Sequence, residues 1–197
     1  MKDRFLNSSI SFITSYKQYS KKDIEKLRYG LEGIYLTIYK LFIILIISLI
    51  LGILKETLIF LVLFNIIRFP AFGFHANTSL ECLIISSILI LGIPFLFLNL
   101  YIPLYVKIII SIICLICYIL YAPADTVKRP LPNKKKRIIR KICSIICCLI
   151  YIGLMIVFKN SYINNLFLSA IIVETILIIP ITYKIFRQSY RNYLNMV

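Results

Sequence analysis

Long apolar runs alternate with short polar stretches along the chain, a pattern typical of a helical membrane protein. A helix needs about 20 predominantly apolar residues to cross a bilayer. The pattern predicts a 1–34 segment, first spans within 35–121, a polar junction at 68–82, a loop at 122–141, last spans at 142–183 and a tail at 184–197. We therefore expect an all-α integral membrane protein with about six transmembrane helices.

One apolar run is shorter than the others. Residues 57–67 are apolar over only 11 positions before Arg68, too few to cross the membrane. This run must either continue through Arg68 to Phe74 or stop part-way as a re-entrant segment. Pro70 is expected to break or kink the helix there.

The 1–34 segment has a different pattern. Apolar residues recur at helical spacing among lysines and acidic residues, which predicts short amphipathic helices on the membrane surface. The alternative is a frayed basic tail. A cleavable signal peptide is not expected, because the first apolar run starts too late and is too long.

Composition and charge agree with a single membrane domain. The 197 residues are 60% hydrophobic and carry a net charge of +15. The positive residues form three clusters between apolar runs, as topology determinants do, so no nucleic-acid partner is expected. Loops rich in Lys and Arg usually lie on the cytoplasmic side of the membrane. By this positive-inside rule, both termini, the 122–141 loop and the 68–82 junction are expected on the cytoplasmic side.

The polar junction holds the candidate chemistry. It contains the only histidine, His75, and the first of six cysteines, Cys82. Thr78 and Glu81 have the spacing of a capping box, which would put Cys82 in the first turn of a helix, where a thiolate is favoured. His75 could then act as its base, provided that the helix is interrupted, because two continuous turns would separate the residues by about 10 Å. A lone His and Cys seven apart is a weak signal by itself.

The neighbouring residues have open roles. Arg68 can bind a substrate carboxylate, stabilise an oxyanion or anchor the helix at the interface. Asn77 can orient the imidazole or bond its own turn, Gly73 gives the turn freedom, and Glu81 is most simply a cap. Glu174 lies in the middle of the last span, and it can pair with a basic residue, contact substrate or stay protonated.

The other cysteines lie inside apolar runs. Cys114 and Cys117 have the spacing of a redox or zinc pair, but no histidine or carboxylate lies near them in the sequence. Helix packing is the simpler interpretation, and no metal or other cofactor is expected.

A set of residues across the chain resembles a known family. The junction matches at Arg68, Pro70, Gly73, His75-Ala76, Ser79 and Cys82, and further matches are Tyr29-Gly30-Leu31-Glu32, Lys40, Tyr121-Ala122-Pro123 and Pro130. Together they resemble the AgrB family, the accessory gene regulator proteins B of quorum-sensing Gram-positive bacteria. The chain departs from the family at Phe72-Gly73, where two adjacent glycines are usual.

The resemblance implies a cell-membrane cysteine endopeptidase that acts on a short AgrD-type propeptide. His75 would be the general base and Cys82 the nucleophile, with Ser79 among the supporting residues. Release of the C-terminal tail would leave the rest of the propeptide bound to Cys82 as an acyl-enzyme thioester. A cysteine of the propeptide would then attack this thioester and close a thiolactone ring, and a serine would close a lactone. The family usually works as a homodimer.

Two alternatives remain open from the sequence. The basic loop can attract the acidic propeptide tail, or it can set topology and bind anionic lipid. Its residues for either role are Lys128, Arg129, Lys134, Lys135 and Lys136. The whole protein could instead be a small exporter of the signal peptide without peptidase activity, a hypothesis motivated by the spans and Glu174.

Overall fold

The computed structural model describes residues 2–16, 19–76, 78–126, 130–158 and 160–196, and most of them are helical. The α-helices are α1 (Lys2–Tyr16), α2 (Lys21–Ile50), α3 (Leu54–Ala71), α4 (Ser79–Ser87), α5 (Ile93–Leu98), α6 (Leu104–Tyr121), α7 (Lys134–Val157), α8 (Ser161–Ile178) and α9 (Pro180–Ile185). Within these described ranges, five stretches have the length and composition to cross a membrane: α2, the stretch Leu80–Leu98, α6, α7 and α8. The predicted all-α membrane class is confirmed.

The chain divides into two compact units, Met1–Ile47 and Ser48–Val197. In the first unit, Lys2 forms an ion pair of 2.7 Å with Glu32. α2 runs through residues that the sequence pattern divided between a surface helix and the first span. The stretch contains no proline, so nothing interrupts its hydrogen-bond ladder.

α8 lies at the centre of the second unit. α3, α5, α6 and α7 all contact it, and most of its side chains are buried. A central helix buries its polar residues together with its apolar ones, and buried polar groups need hydrogen-bond partners. The buried polar residues of α8 are Asn164, Asn165, Ser169 and Glu174.

α3 resolves the two alternatives for the short apolar run. The helix continues past Arg68 and ends at Ala71, with Pro70 in its last turn. Its 18 residues span about 27 Å. Lys55, Glu56 and Arg68 near its two ends set it apart from the five more apolar stretches.

Within the span Leu80–Leu98, a π-helical turn at Ile88–Gly92 lies between α4 and α5. The sequence predicted a kink at Gly92 and Pro94, and the irregular turn ends at this glycine. Pro94 is near the start of α5. A π-turn adds one residue to the helical turn, which changes the faces that the helix presents before and after it.

Two helix boundaries differ from the sequence pattern. α7 starts at Lys134, where Asn133 caps it by accepting a bond from the Lys136 N–H (3.1 Å). The second half of the predicted basic loop is therefore helical. α8 ends at Ile178, because Ile179 precedes Pro180 and is extended.

Candidate active site

The residues Phe72–Ala76, here called the His75 segment, leave the helix at the end of α3. Ala124, from the connection between α6 and α7, lies beside them. The Gly73 N–H donates to the Ala124 carbonyl (2.8 Å), and the Ala124 N–H donates to the Ala71 carbonyl (2.9 Å). These bonds form an isolated parallel bridge that fixes where the segment begins.

Phe74 fixes the middle of the segment. Its N–H donates to the carbonyl of Leu177 in the last turn of α8 (2.8 Å). Its ring is 97% buried and packs on Phe186 and Tyr183, with ring centroids 4.6 and 6.0 Å away. Because α8 is central, this contact ties the segment to the most buried helix of the unit.

Phe72 and Gly73 both have positive φ angles, 63° and 113°. A Cβ on Gly73 would lie 2.7 Å from Arg68 Nη1 and 3.0 Å from the Leu177 carbonyl, so only glycine fits. Phe72 adopts a conformation that glycine takes at low cost. This geometry favours glycine at both positions, and the chain has Phe72 at the first of them, where the positive φ strains the backbone.

The Arg68 side chain stabilises this turn through hydrogen bonds to its backbone carbonyls. Its guanidinium donates to the carbonyls of Phe72 (2.9 Å) and Phe74 (2.8 Å) and to Glu174 Oε2 (3.1 Å). The Glu174 side chain has no exposed surface. Of the roles left open for Glu174, the structure favours pairing with a basic residue. The guanidinium bonds one oxygen of this buried carboxylate and offsets its charge, while Glu174 Oε1 has no hydrogen-bond partner among the described residues.

His75 is half-buried and precedes the helix that carries Cys82. Its backbone carbonyl accepts a bond from Gln188 Nε2 (2.7 Å). Gln188 belongs to the C-terminal segment after α9. Residues far apart in the sequence therefore meet at the histidine.

The start of α4 has the predicted capping box. The Glu81 N–H donates to Thr78 Oγ1, and the Thr78 N–H donates to Glu81 Oε2, both at 3.3 Å. Cys82 is half-buried, its N–H bonds the Thr78 carbonyl at 3.0 Å, and its Sγ lies 4.0 Å from Ser86 Oγ. Cys82 thus lies in the first turn, near the positive end of the helix dipole.

The required interruption between the two residues is present. His75 lies three residues before the N-cap Thr78, and Cys82 lies four residues after it. The non-helical backbone at 72–76 removes the two-turn separation that a continuous helix would impose. Asn77 lies outside the described residues, and Ser79 is the first residue of α4.

The basic residues fall into two groups. Lys134, Lys135 and Lys136 are exposed in the first turn of α7, whereas Lys128 and Arg129 lie outside the described residues. Arg140, one turn further, instead donates to the Phe69 carbonyl at the end of α3 (2.7 Å) and stacks 4.3 Å from the Phe72 ring centroid. Arg140 therefore supports the strained turn.

The C-terminal segment folds back onto the connection between α6 and α7. The buried carboxylate of Asp125 accepts bonds from the N–H groups of Leu131 (3.3 Å), Asn192 (3.1 Å) and Tyr193 (2.9 Å). Burial raises the pKa of Tyr190, so its hydroxyl stays neutral and donates to the Tyr121 carbonyl (3.2 Å). The tail is thus part of the folded unit.

Sequence reasoning missed Gln188, Asp125 and the bracing role of Arg140. Nothing in the tail pattern indicated an amide close to His75. A signal did exist for Arg68 and Glu174, since they are opposite charges that both interrupt apolar runs.

Cys114 and Cys117 lie in the middle of α6. Cys114 is buried and Cys117 half-buried, and neither is in a disulfide. Within the described ranges, no group of three or more His, Cys, Asp or Glu side chains could hold a metal ion.

The fold and this arrangement define a class: a multi-pass helical membrane protein with a histidine and a cysteine on either side of a helix start. The sequence model described as Accessory gene regulator B matches residues 6–178. The chain therefore belongs to the accessory gene regulator B (AgrB) family.

Relatives agree with this assignment. A putative AgrB-like protein of Clostridium acetobutylicum is 32% identical over 175 residues, covering 87% of this chain and 82% of the relative. A putative AgrB-like protein of Listeria monocytogenes is 31% identical over 168 residues, covering 85% and 82%. The accessory gene regulator protein B of Staphylococcus aureus is 33% identical over 159 residues, covering 80% and 83%. No solved structure matches the chain.

Proposed function

We propose that this protein is a membrane cysteine endopeptidase of a quorum-sensing system, which cleaves an AgrD-type propeptide and promotes its cyclisation. One observation carries the proposal: Cys82 lies in the first turn of a capped helix, and the non-helical segment before that helix presents His75. A cysteine needs a base and a positive environment to attack as its thiolate. The helix start and the imidazole supply both.

The proposed reaction has two acyl transfers. His75 takes the proton of the Cys82 thiol, and the thiolate attacks the carbonyl carbon ahead of the acidic tail. The C–N bond breaks, His75 returns the proton to the leaving amine, and the tail departs. A cysteine thiolate within the propeptide then attacks the Cys82 thioester, which closes a thiolactone and regenerates Cys82; a serine would give a lactone.

Exclusion of water favours cyclisation over hydrolysis. Exchange of one thioester for another is nearly isoenergetic, so the ring can form without an energy source if water does not reach the thioester. Phe74 and Ala76, on either side of His75, are buried, which limits water on the protein side of the segment. No cofactor is part of this scheme.

Lys134, Lys135 and Lys136 are proposed to attract the acidic propeptide tail. They are exposed in the first turn of α7, and Arg140 of the same helix bonds the end of α3 next to the His75 segment. Long-range attraction would raise the local substrate concentration without altering the chemistry. A cytoplasmic site, contact with anionic lipid and a homodimer are also proposals, based on the charge pattern and the family.

Purified protein in lipid nanodiscs, mixed with a synthetic propeptide, tests the chemistry. The wild type should release the tail and form a propeptide thioester detectable by mass spectrometry. Cys82→Ala and His75→Ala should reduce cleavage by about 10⁴-fold or more, as for other nucleophile and base removals. Cys143→Ala, at an exposed cysteine of α7, is the matched control and should cleave normally.

The same assay tests the lysines. Changing Lys134, Lys135 and Lys136 to Ser should raise KM and leave kcat unchanged, and added salt should weaken the effect.

Full processing of the propeptide by Cys82→Ala would disprove the peptidase. The exporter alternative would be supported if liposomes moved mature peptide without cutting precursor; of its two motivations, Glu174 pairs with Arg68 and the membrane spans remain.

A further inference from the structure

Both peptide planes around His75 are held by side-chain donors. Arg68 Nη2 donates to the Phe74 carbonyl, which precedes His75 (2.8 Å), and Gln188 Nε2 donates to the carbonyl of His75 itself (2.7 Å). A backbone has only two soft dihedrals per residue, so fixing the planes on both sides restricts His75 φ and ψ. The direction of the Cα–Cβ bond that carries the imidazole is thereby restricted as well.

Each donor is itself held by a buried group. Arg68 is fixed by Glu174, whose side chain is fully buried in α8. The backbone around Gln188 is fixed by its own N–H, which donates to the Tyr183 carbonyl (2.8 Å). Farther along, Asp125 binds the N–H groups of two tail residues. The backbone of the C-terminal segment is therefore held in place by hydrogen bonds on both sides of Gln188. The Gln188 side chain can thus hold the His75 carbonyl at a defined position.

We propose that Gln188 and Glu174 are positioning residues for His75, with Gln188 acting directly on its carbonyl and Glu174 acting through Arg68. This proposal rests on the proposed function, since it assigns these residues to the base of that reaction. Neither residue is placed against substrate. In this proposal they hold the backbone of His75 in the position from which its imidazole serves the Cys82 thiol.

The position of the His75 imidazole matters because a general base must lie within hydrogen-bonding distance of the proton that it removes. Proton transfer needs heavy atoms within about 2.6–3.2 Å, and a misplacement of about 1 Å can cost roughly a hundredfold in rate. His75 lies on non-helical backbone, which lacks the hydrogen-bond ladder that fixes residues in helices. The two side-chain bonds replace that ladder.

Gln188→Met is the test variant, because it keeps the side-chain length and removes the N–H donor. Leu194→Ala, at an exposed residue of the same segment, is the matched control. Glu174→Gln and Glu174→Ala form a second pair, in which Gln retains an acceptor for Arg68 and Ala does not. Size-exclusion profiles and thermal unfolding in detergent identify any variant that does not fold.

Two readouts separate positioning from general stability. With propeptide, Gln188→Met should lower kcat about ten- to hundredfold with KM within about twofold. Without propeptide, the iodoacetamide alkylation rate of Cys82, followed at the peptide level, should fall at pH 7 and match wild type at pH 10, where the thiol ionises without a base. His75→Ala should show the same alkylation profile. Leu194→Ala should match wild type in both, and Glu174→Gln should lie between wild type and Glu174→Ala.

Wild-type kcat and alkylation in Gln188→Met would overturn the proposal. Equal slowing of alkylation at pH 7 and pH 10 would also overturn it, because that result reports a change in access to the sulfur. Failure of the wild type to cleave any propeptide would instead count against the proposed function. In that case the alkylation rates still decide whether Gln188 and Glu174 position His75.

Discussion

The two ends of the second unit both bury polar side chains, but they use them differently. At one end, where α3 and α8 begin, polar side chains mostly bond the backbone of regular helices: Lys107 Nζ donates to the Ser161 carbonyl (3.0 Å), and Asn165 Nδ2 donates to the Phe97 carbonyl (2.6 Å). At the other end, Arg68 and Gln188 bond the carbonyls of an irregular segment.

The difference shows that buried polarity alone does not identify a site. Asn164 and Asn165 are as buried as Phe74, and Lys107 is more so, yet their bonds serve helix ends. What sets the other end apart is positive φ at residues other than glycine (Phe72, Arg187 and Arg191), together with a histidine and a cysteine on either side of a helix start. The predictions below test whether the two ends differ in function as well as in geometry.

The largest expected effect comes from breaking the buried ion pair. Arg68→Met should lower the free energy of unfolding by about 3–5 kcal/mol, because it leaves the Glu174 carboxylate uncompensated. The double variant Arg68→Met/Glu174→Leu should regain much of that stability and remain inactive, since the bonds to the Phe72 and Phe74 carbonyls stay lost. Thermal unfolding in detergent and the cleavage assay measure the two effects.

Asn165→Ala provides the matched change at the opposite end. It should cost about 1–3 kcal/mol and leave kcat unchanged. A fall in kcat as large as that of the Arg68 variant would remove the distinction between the two ends.

Gly73→Ala should have the next largest effect. Its Cβ would overlap Arg68 Nη1 and the Leu177 carbonyl, and φ of 113° disfavours any side chain, so we expect a loss of about 1–3 kcal/mol and at least a hundredfold loss of cleavage. Gly153→Ala in α7, where a Cβ meets nothing within 4 Å, should be neutral or slightly stabilising. Normal cleavage by Gly73→Ala would mean that the turn can rearrange without cost.

The smallest effect concerns the strain at Phe72. Phe72→Ala and Phe72→Gly lose the same ring contact with Arg140, but only Gly relieves the positive φ. Phe72→Gly should therefore be more stable than Phe72→Ala by about 1 kcal/mol, as measured by thermal unfolding. Equal stability would indicate that the backbone at this position is unstrained.

Local signals allowed the sequence to predict much of this structure. Apolar periodicity predicted the helical membrane class, and the spacing of Thr78 and Glu81 predicted the helix start, because both depend on residues close in the chain. The tail's contact with His75 was not predictable, since Gln188 is 113 residues away and a lone amide carries no pattern. The extension of α7 to Lys134 was missed because Asn133, its cap, follows Pro132 within a basic stretch.

The π-helical turn at Ile88–Gly92 sets the rotation of α4, which carries Cys82, relative to α5 about the axis of the span. Each α-helical residue turns the chain by about 100°, so loss of one residue there would let a regular helix form and swing Cys82 about a quarter-turn around the axis relative to α5. The span would keep its hydrophobicity and nearly its length, and it would insert in the membrane as before. Deletion of one apolar residue six positions beyond Cys82 would thus rotate the helix that carries Cys82 relative to α5, while His75 and Cys82 keep their places in the sequence.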